Sequence, residues 1–321
     1  MAPEPGVIPT GSLGSTNARK KVDTMTQAVK RRAFFILFLL PTFLFFCLFT
    51  LYPIVKGVQI SFFDWSGGTK DMDFIGLDNY KQLLSDPIVG TAVGNDYFLV
   101  VTKVIGIMLI ATFFAVAVTR LNVWGKNVYR VLFFIPNVIS VVVIGVLWRY
   151  VYNPNLGFLN SFLSLFTEER VQTAWLGEPH TAMLSLLWPS IWAGIGFYMI
   201  LLVAAILSIP AELYEAADLD GASQGRQFLS VTLPLMWEQM KVSILHIVMT
   251  TLNGSFILVW IMTEGGPDNS TQVMGSYLYQ MGFRQYHMGY AATIGVLILV
   301  LSLVTTVILQ RIMKRDTIEL A

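Results

Sequence analysis

The sequence predicts an all-α integral membrane protein with six transmembrane helices. Three observations carry that prediction. Only 13% of the 321 residues are charged, against about 25% in an ordinary soluble domain. Hydrophobic residues make up 55% and mean hydropathy is +0.64, so there are too few charges to cover a water-facing surface of that apolarity. The apolar residues also gather into six runs, at 33–55, 97–118, 131–152, 183–209, 242–262 and 291–312. Each is close to the roughly 20 residues a helix needs to cross a hydrocarbon core about 30 Å thick. Prolines and glycines interrupt three of the runs, which membrane helices tolerate. Transmembrane β-strands would instead show alternating segments of about ten residues. This composition excludes a typical soluble enzyme and a disordered chain. A net charge of +1 excludes a nucleic-acid binder. The single cysteine, Cys47, excludes a disulfide framework and a cysteine-based zinc site.

The chain divides into a basic segment (1–32), a six-helix body (33–315) and a short tail (316–321). Residues 1–16 are rich in Pro, Gly and Ser and are expected to be disordered. Arg19, Lys20, Lys21, Lys30, Arg31 and Arg32 precede the first span. Its apolar core is longer than that of a signal peptide and no small-residue cleavage site follows, so it reads as an uncleaved helix. If that basic segment is cytoplasmic, so are Arg120, Lys126, Arg130, Arg226, Lys241, Arg311, Lys314 and Arg315. Together they outweigh Lys56, Lys70, Lys81, Arg149, Arg170 and Arg284 on the other side. The positive-inside rule therefore puts both termini in the cytoplasm. Lys103, inside the second span, is expected to snorkel towards the outer surface, with a gating or substrate role as the alternative.

Two outer segments carry aromatic and amphipathic signals. FIGLDNYKQLLSD is expected to form a short helix capped by Asp78, with Tyr80, Leu83 and Leu84 on one side. NPNLGFLNSFLSLF follows the third span. Each reads either as an interfacial belt or as a docking surface for an extracytoplasmic partner. EGGPDNST after the fifth span is a turn cluster.

The segment between spans four and five, about 208–237, is the most informative. Pro210 suits the first helical position, and Glu212 and Glu215 lie near the positive end of the helix dipole. Ala216 and Ala217 keep one surface low, Gly221 permits a left-handed stop, and a second short helix is expected to run from Ala222 until Pro234 breaks it. Glu212, Glu215, Asp218, Asp220 and Glu238 face only Arg226 and Lys241. The acids either solvate the loop or fit a basic groove on a cytoplasmic partner.

The string EAADLDGASQGRQFLSVTLP resembles the EAA loop of permease subunits in binding-protein-dependent ABC importers. FIGLDNYKQLL, GKNVYRVLFFIPNVIS, IPAELYEAADLDGA, TEGGPDNST and GYAATIGVLILVLSLV, in that order, are similar to the maltose/oligosaccharide branch of sugar permeases. The resemblance implies a type I importer permease arrangement in a prokaryotic inner membrane. It implies that Glu215, Ala216, Ala217, Asp218 and Gly221 seat in an ATP-binding subunit, with Glu215 pairing a basic residue there. It further implies a second permease in a heterodimer, two ATP-binding subunits and an extracytoplasmic sugar-binding protein. ATP and Mg would reside on those subunits and no cofactor on this chain. GASQGRQ has the wrong spacing for a P-loop.

A sugar pathway needs hydrogen-bonding groups beside flat apolar faces, and polar groups at membrane depth are costly unless satisfied. The candidates are Asn137 and Ser140 after Pro136, then Ser190, Gly194, Phe197 and Tyr198 in the fourth span, and Thr251 and Asn253 in the fifth. Helix packing is the competing reading of each. The resemblance points to Asn137, Ser190, Gly194, Phe197 and Thr251 among them. His180, His246 and His287 lack metal-site spacing. An importer for another solute, such as glycerol phosphate, and a lipid-modifying membrane enzyme are the alternatives.

Overall fold

The computed structural model describes residues 34–68, 71–121 and 125–314. The expected basic segment 1–32 and the tail 316–321 lie outside the described residues. Two compact units divide at Gly57. The first holds most of α1 (Phe34–Ile60), an apolar helix of mean hydropathy 2.6. The second begins with a two-stranded antiparallel hairpin, β1 (Phe63–Asp64) and β2 (Asp73–Phe74), followed by α2 (Asp78–Ser85). Then come α3 (Pro87–Arg120), α4 (Lys126–Val138), α5 (Val141–Val151), α6 (Phe158–Leu163) and α7 (Pro179–Leu207). A bend segment of α8 (Ala211–Leu219) and α9 (Gln224–Gln227) leads into α10 (Trp237–Met262). The short α11 (Met274–Tyr279) and the long α12 (Met288–Ile312) complete the chain.

Five of these helices are long and apolar enough to cross a membrane. The third expected span is not one helix. Its halves, α4 and α5, meet at 99°, because Ile139 and Ser140 are extended (ψ 137° at both). Ser140 becomes the N-cap of α5 and accepts from the Val142 N–H. Asn137 and Ser140, three positions apart, therefore do not share a helix face as they would in an unbroken span.

Two prolines lie just beyond π-helical turns. Cys47–Leu51 precedes Tyr52-Pro53, and Phe228–Thr232 precedes Leu233-Pro234. A proline ring collides with the carbonyl four residues back in a regular helix. One wider turn moves that carbonyl aside and lets the helix run on. The expected break at Pro234 accordingly falls later, at Met236.

The helix α7 forms the centre of the second unit. Its Ile195, Met199, Leu202 and Ile206 pack against Ile107, Met108, Ala111 and Ala115 of α3, with Ile247 of α10 closing the cluster. Gly196 allows the close crossing with α4, since a Cβ there would stand 2.0 Å from the Phe133 carbonyl oxygen. In α2, Asp78 is the first helical residue rather than the cap, and it pairs with Lys81 at 2.7 Å. Leu83 is buried while the adjacent Leu84 is 87% exposed, so the two do not share a face as expected. Neighbours on a helix are about 100° apart.

Candidate functional site

The bend segment has one locked side and one open side. Pro210 occupies the N-cap position of α8, one residue ahead of its expected place. At the other end, the Ala222 N–H donates to the Ala217 carbonyl at 2.9 Å and the Gly221 N–H to that of Asp218 at 3.0 Å. This is the paired C-terminal bonding of a Schellman stop, and it needs a left-handed residue. Gly221 supplies it with φ +72°.

The locked side rests on three contacts. The Tyr214 hydroxyl and Thr232 Oγ1 are 3.0 Å apart, and the Arg120 guanidinium lies 3.4 Å above the Tyr214 ring. Gln227 Nε2 donates both to Asp218 Oδ1 at 2.5 Å and to the Ala222 carbonyl at 3.0 Å, tying the two arms of the bend together. Asp218 is thus engaged by Gln227 although it remains exposed. On the open side Glu212, Glu215, Ala216, Asp220 and Gly221 are exposed, and Leu219 is 90% exposed at the tip. Lys241 is paired with Glu238 at 2.5 Å, which leaves the acids of α8 without it. Sequence reasoning missed Leu219, since one leucine in a short helix gives no signal until its surroundings are known.

The pathway candidates scatter. Ser190 lines a cavity of about 130 Å³ with Lys103, Gly254 and Ser255. Lys103 therefore borders an internal space, where the sequence suggested snorkelling. Gly194 is a packing position, because a Cβ there would meet Ile107 Cδ1 at 2.8 Å. The Tyr198 hydroxyl is 2.9 Å from His246 Nδ1, and the Phe197 ring centroid lies 5.7 Å from that of His246. Thr251 is fully buried and bonded to its own helix at the Ile247 carbonyl. Asn253, about 200° further round α10, is exposed on the same side as His246, Thr250 and Gly254. Asn137 and Ser140 are exposed at the break between α4 and α5. Among the described residues no group of three or more His, Cys, Asp or Glu comes together as a metal site.

The opposite end of the helices carries a buried polar lattice that sequence reasoning did not find. Asp96 is 3% exposed and accepts from Ser255 Oγ at 3.0 Å and from the Met274 N–H at 2.9 Å. Asn95 donates to the Ser270 and Gln272 carbonyls at 2.9 and 2.8 Å, holding the EGGPDNST turn. Asp86 caps α3 at the Ile88 N–H and accepts from the hydroxyls of Tyr277 and Tyr290. Burial alone would push the Asp86 carboxyl up, but these hydroxyl and backbone donors together hold it below the usual carboxylate value. Burial and the neighbouring Asp86 push the Tyr277 hydroxyl up. An acid at the edge of an apolar run was the available clue to Asp96.

Apolar crossings, a cavity between them that holds Lys103, Ser190 and Ser255, and an exposed acidic bend beyond them are the features of a transport permease. The chain belongs to the family described as the binding-protein-dependent transport system inner membrane component, whose profile matches residues 104–317. A probable ABC transporter permease protein of Bacillus subtilis, YurN, is 36% identical over 285 residues, covering 87% of this chain and 95% of its own. The diacetylchitobiose uptake system permease protein NgcF of Streptomyces coelicolor is 32% identical over 283 residues, covering 85% and 80%. The crystal structure of a bacterial ABC transporter involved in the import of the acidic polysaccharide alginate shares the fold. It superposes with a TM-score of 0.79 at 23% identity, over 92% of this chain and 99% of that one. The protein is a multi-pass membrane permease of an ABC importer.

Proposed function

We propose that this chain is one of two unlike permeases in a carbohydrate importer of a prokaryotic inner membrane, with the bend segment and both termini in the cytoplasm. The observation that carries the reading is the bend itself. Its back is bonded to the body of the protein, while Glu215 and the 90% exposed Leu219 lie free on the other side. Several exposed acids around one exposed apolar side chain, on a helix braced from behind, suit a docking surface for a partner that carries basic groups. The occupant is an ATP-binding subunit. This chain contributes Glu215, Ala216, Ala217, Asp218, Leu219 and Gly221 to the contact, with Asp218 also bonded to Gln227 across the bend.

ATP and Mg act on that partner, and this chain binds neither. Closure of two such subunits draws the two bends together and shifts the permease pair between inward- and outward-facing states. The exposed polar side of α10 (His246, Thr250 and Asn253), with Ser190, Phe197 and Tyr198 and with Asn137 and Ser140 at the helix break, borders the conduit. Exposed polar groups at membrane depth are costly against lipid. The uptake of diacetylchitobiose named for NgcF supports carbohydrate as the cargo class. The family's description supports an extracytoplasmic binding protein as the donor of that cargo.

The test is the full complex reconstituted with its binding protein. We expect uptake of neutral oligosaccharides with ATPase activity stimulated by the loaded binding protein. Normal stimulation in a Glu215→Lys complex would remove the bend from the coupling path. Uptake of no carbohydrate by the wild type would remove the cargo class.

A further inference from the structure

Lys103 lies within the apolar stretch of α3, yet it lines the 130 Å³ cavity together with Ser190 of α7 and Ser255 of α10. Among the described residues it makes no ion pair or hydrogen bond. An ammonium group at that depth is expensive without a partner, and such a residue marks a functional site by default. The acid before it on α3, Asp96, is seven residues away, about 10 Å along the helix. Its two oxygens are already engaged by Ser255 Oγ and the Met274 N–H.

Most of the lining is apolar, and its three polar side chains, Lys103, Ser190 and Ser255, decide which polar group the cavity takes. Ser190 has committed its proton to the Leu186 carbonyl at 2.7 Å. Ser255 has committed its own to Asp96 Oδ1 at 3.0 Å. Both hydroxyl oxygens remain as acceptors, while Lys103 brings three N–H donors and no acceptor. An anion would gain the cation but would also face two acceptor oxygens, with the Asp96 carboxylate directly behind one of them. A hydroxyl group suits every partner, since it can donate to a serine oxygen and accept from the ammonium. The cavity is several times larger than the roughly 10–15 Å³ of free space that a single water needs. That space admits the hydroxyl-bearing edge of a sugar ring.

We propose that Lys103, Ser190 and Ser255 form a specificity subsite that reads neighbouring hydroxyls of a neutral sugar, with Asp96 as the positioning residue that orients Ser255. This rests on the carbohydrate reading above and adds to it the preference for uncharged, hydroxyl-rich cargo.

The test uses the complete importer in proteoliposomes, with one binding protein throughout so that its own selectivity cancels. Uptake is compared for diacetylchitobiose, maltotriose, their monodeoxy analogues and trigalacturonate. For at least one hydroxyl the wild type should favour the parent sugar over its deoxy analogue. Lys103→Met should reduce that ratio by about tenfold, the worth of one charge-assisted hydrogen bond, with ATPase stimulation retained. Ser255→Ala should reduce it less. Where Lys103→Met does not assemble, Lys103→Arg carries the test. Its planar fork relocates the donors, and the ratio must shift.

Unchanged ratios in a complex that transports sugar overturn this proposal alone. Selective loss of trigalacturonate uptake also overturns it, in favour of an anion site. Wild-type ratios in an Asp96→Asn/Lys103→Met pair reduce Lys103 to a structural counter-charge. Uptake of none of the panel by the wild type overturns the carbohydrate reading and this subsite with it.

Discussion

The two ends of the helical body are held together in different ways. At the end away from the bend, Asp86, Asn95 and Asp96 reach across from α3 to residues some 175 to 204 positions later and bond donors or carbonyls there. Both carboxylates and the Asn95 amide nitrogen are occupied, and the result is a largely closed polar lattice in which Ser270 Oγ is buried without a partner. At the bend, three contacts hold the back of α8 while its acidic front stays open. A closed lattice resists movement, because each buried group that loses its partner carries the full cost of desolvation. An element pinned on one side only can be pushed as a rigid body by whatever seats on its other side. Under the proposed coupling role, force enters at the bend and the opposite end keeps its shape.

The sharpest way to break this comparison is charge reversal on the open front. Glu215→Lys should reduce ATPase stimulation by loaded binding protein to background, with the isolated chain as stable as the wild type. Loss of stability in the isolated chain would mean that Glu215 belongs to the body after all. The largest stability effect is expected from the closed end. Asp96→Ala strands the Met274 N–H and frees Ser255, which should cost about 3 kcal/mol, read as a lower thermal midpoint of the purified complex.

Smaller changes sharpen the comparison. Gly221→Ala places a side chain at φ +72° with open space around it, so it should cost about 1 kcal/mol of backbone strain alone. Its larger consequence should be weakened docking of the ATP-binding subunit, measured by co-purification. Tyr214→Phe removes one hydrogen bond but leaves the ring beneath Arg120, and should cost about 1 kcal/mol or less.

The smallest effect concerns pH. The folded state holds the Asp86 carboxyl below its ordinary value. Its contribution is therefore fully present above the unfolded value near about 4 and is lost as pH falls through the lower folded one. Thermal stability should be flat with respect to Asp86 between about pH 8 and 5. The decline below about pH 4 should be shallower in Asp86→Asn.

Much of the bend was legible because its signals are local. A proline at the start, acids in the first turn and a glycine at the stop specify helix, end and turn within a dozen residues. The break in the third span was partly legible in hindsight, since Ser140 followed by an apolar run is an N-cap signature. The apolar periodicity of the span masked it. The pathway candidates were the least legible. Thr251 and Asn253 are both polar and two positions apart, yet one is sealed in helix packing and the other is exposed.

Composition and local pattern were therefore sufficient for the class of protein, the positions of five of the six spans and the helix–bend–helix, because hydrophobic length, capping and left-handed stops depend on neighbours in the chain. Packing alone could decide that Lys103 borders a cavity, that Asp96 bonds the Met274 N–H, and that Asp218 accepts from Gln227 while Glu215 stays free. Those outcomes depend on residues far apart in sequence, and no local rule ranks a polar side chain by the partner it will meet.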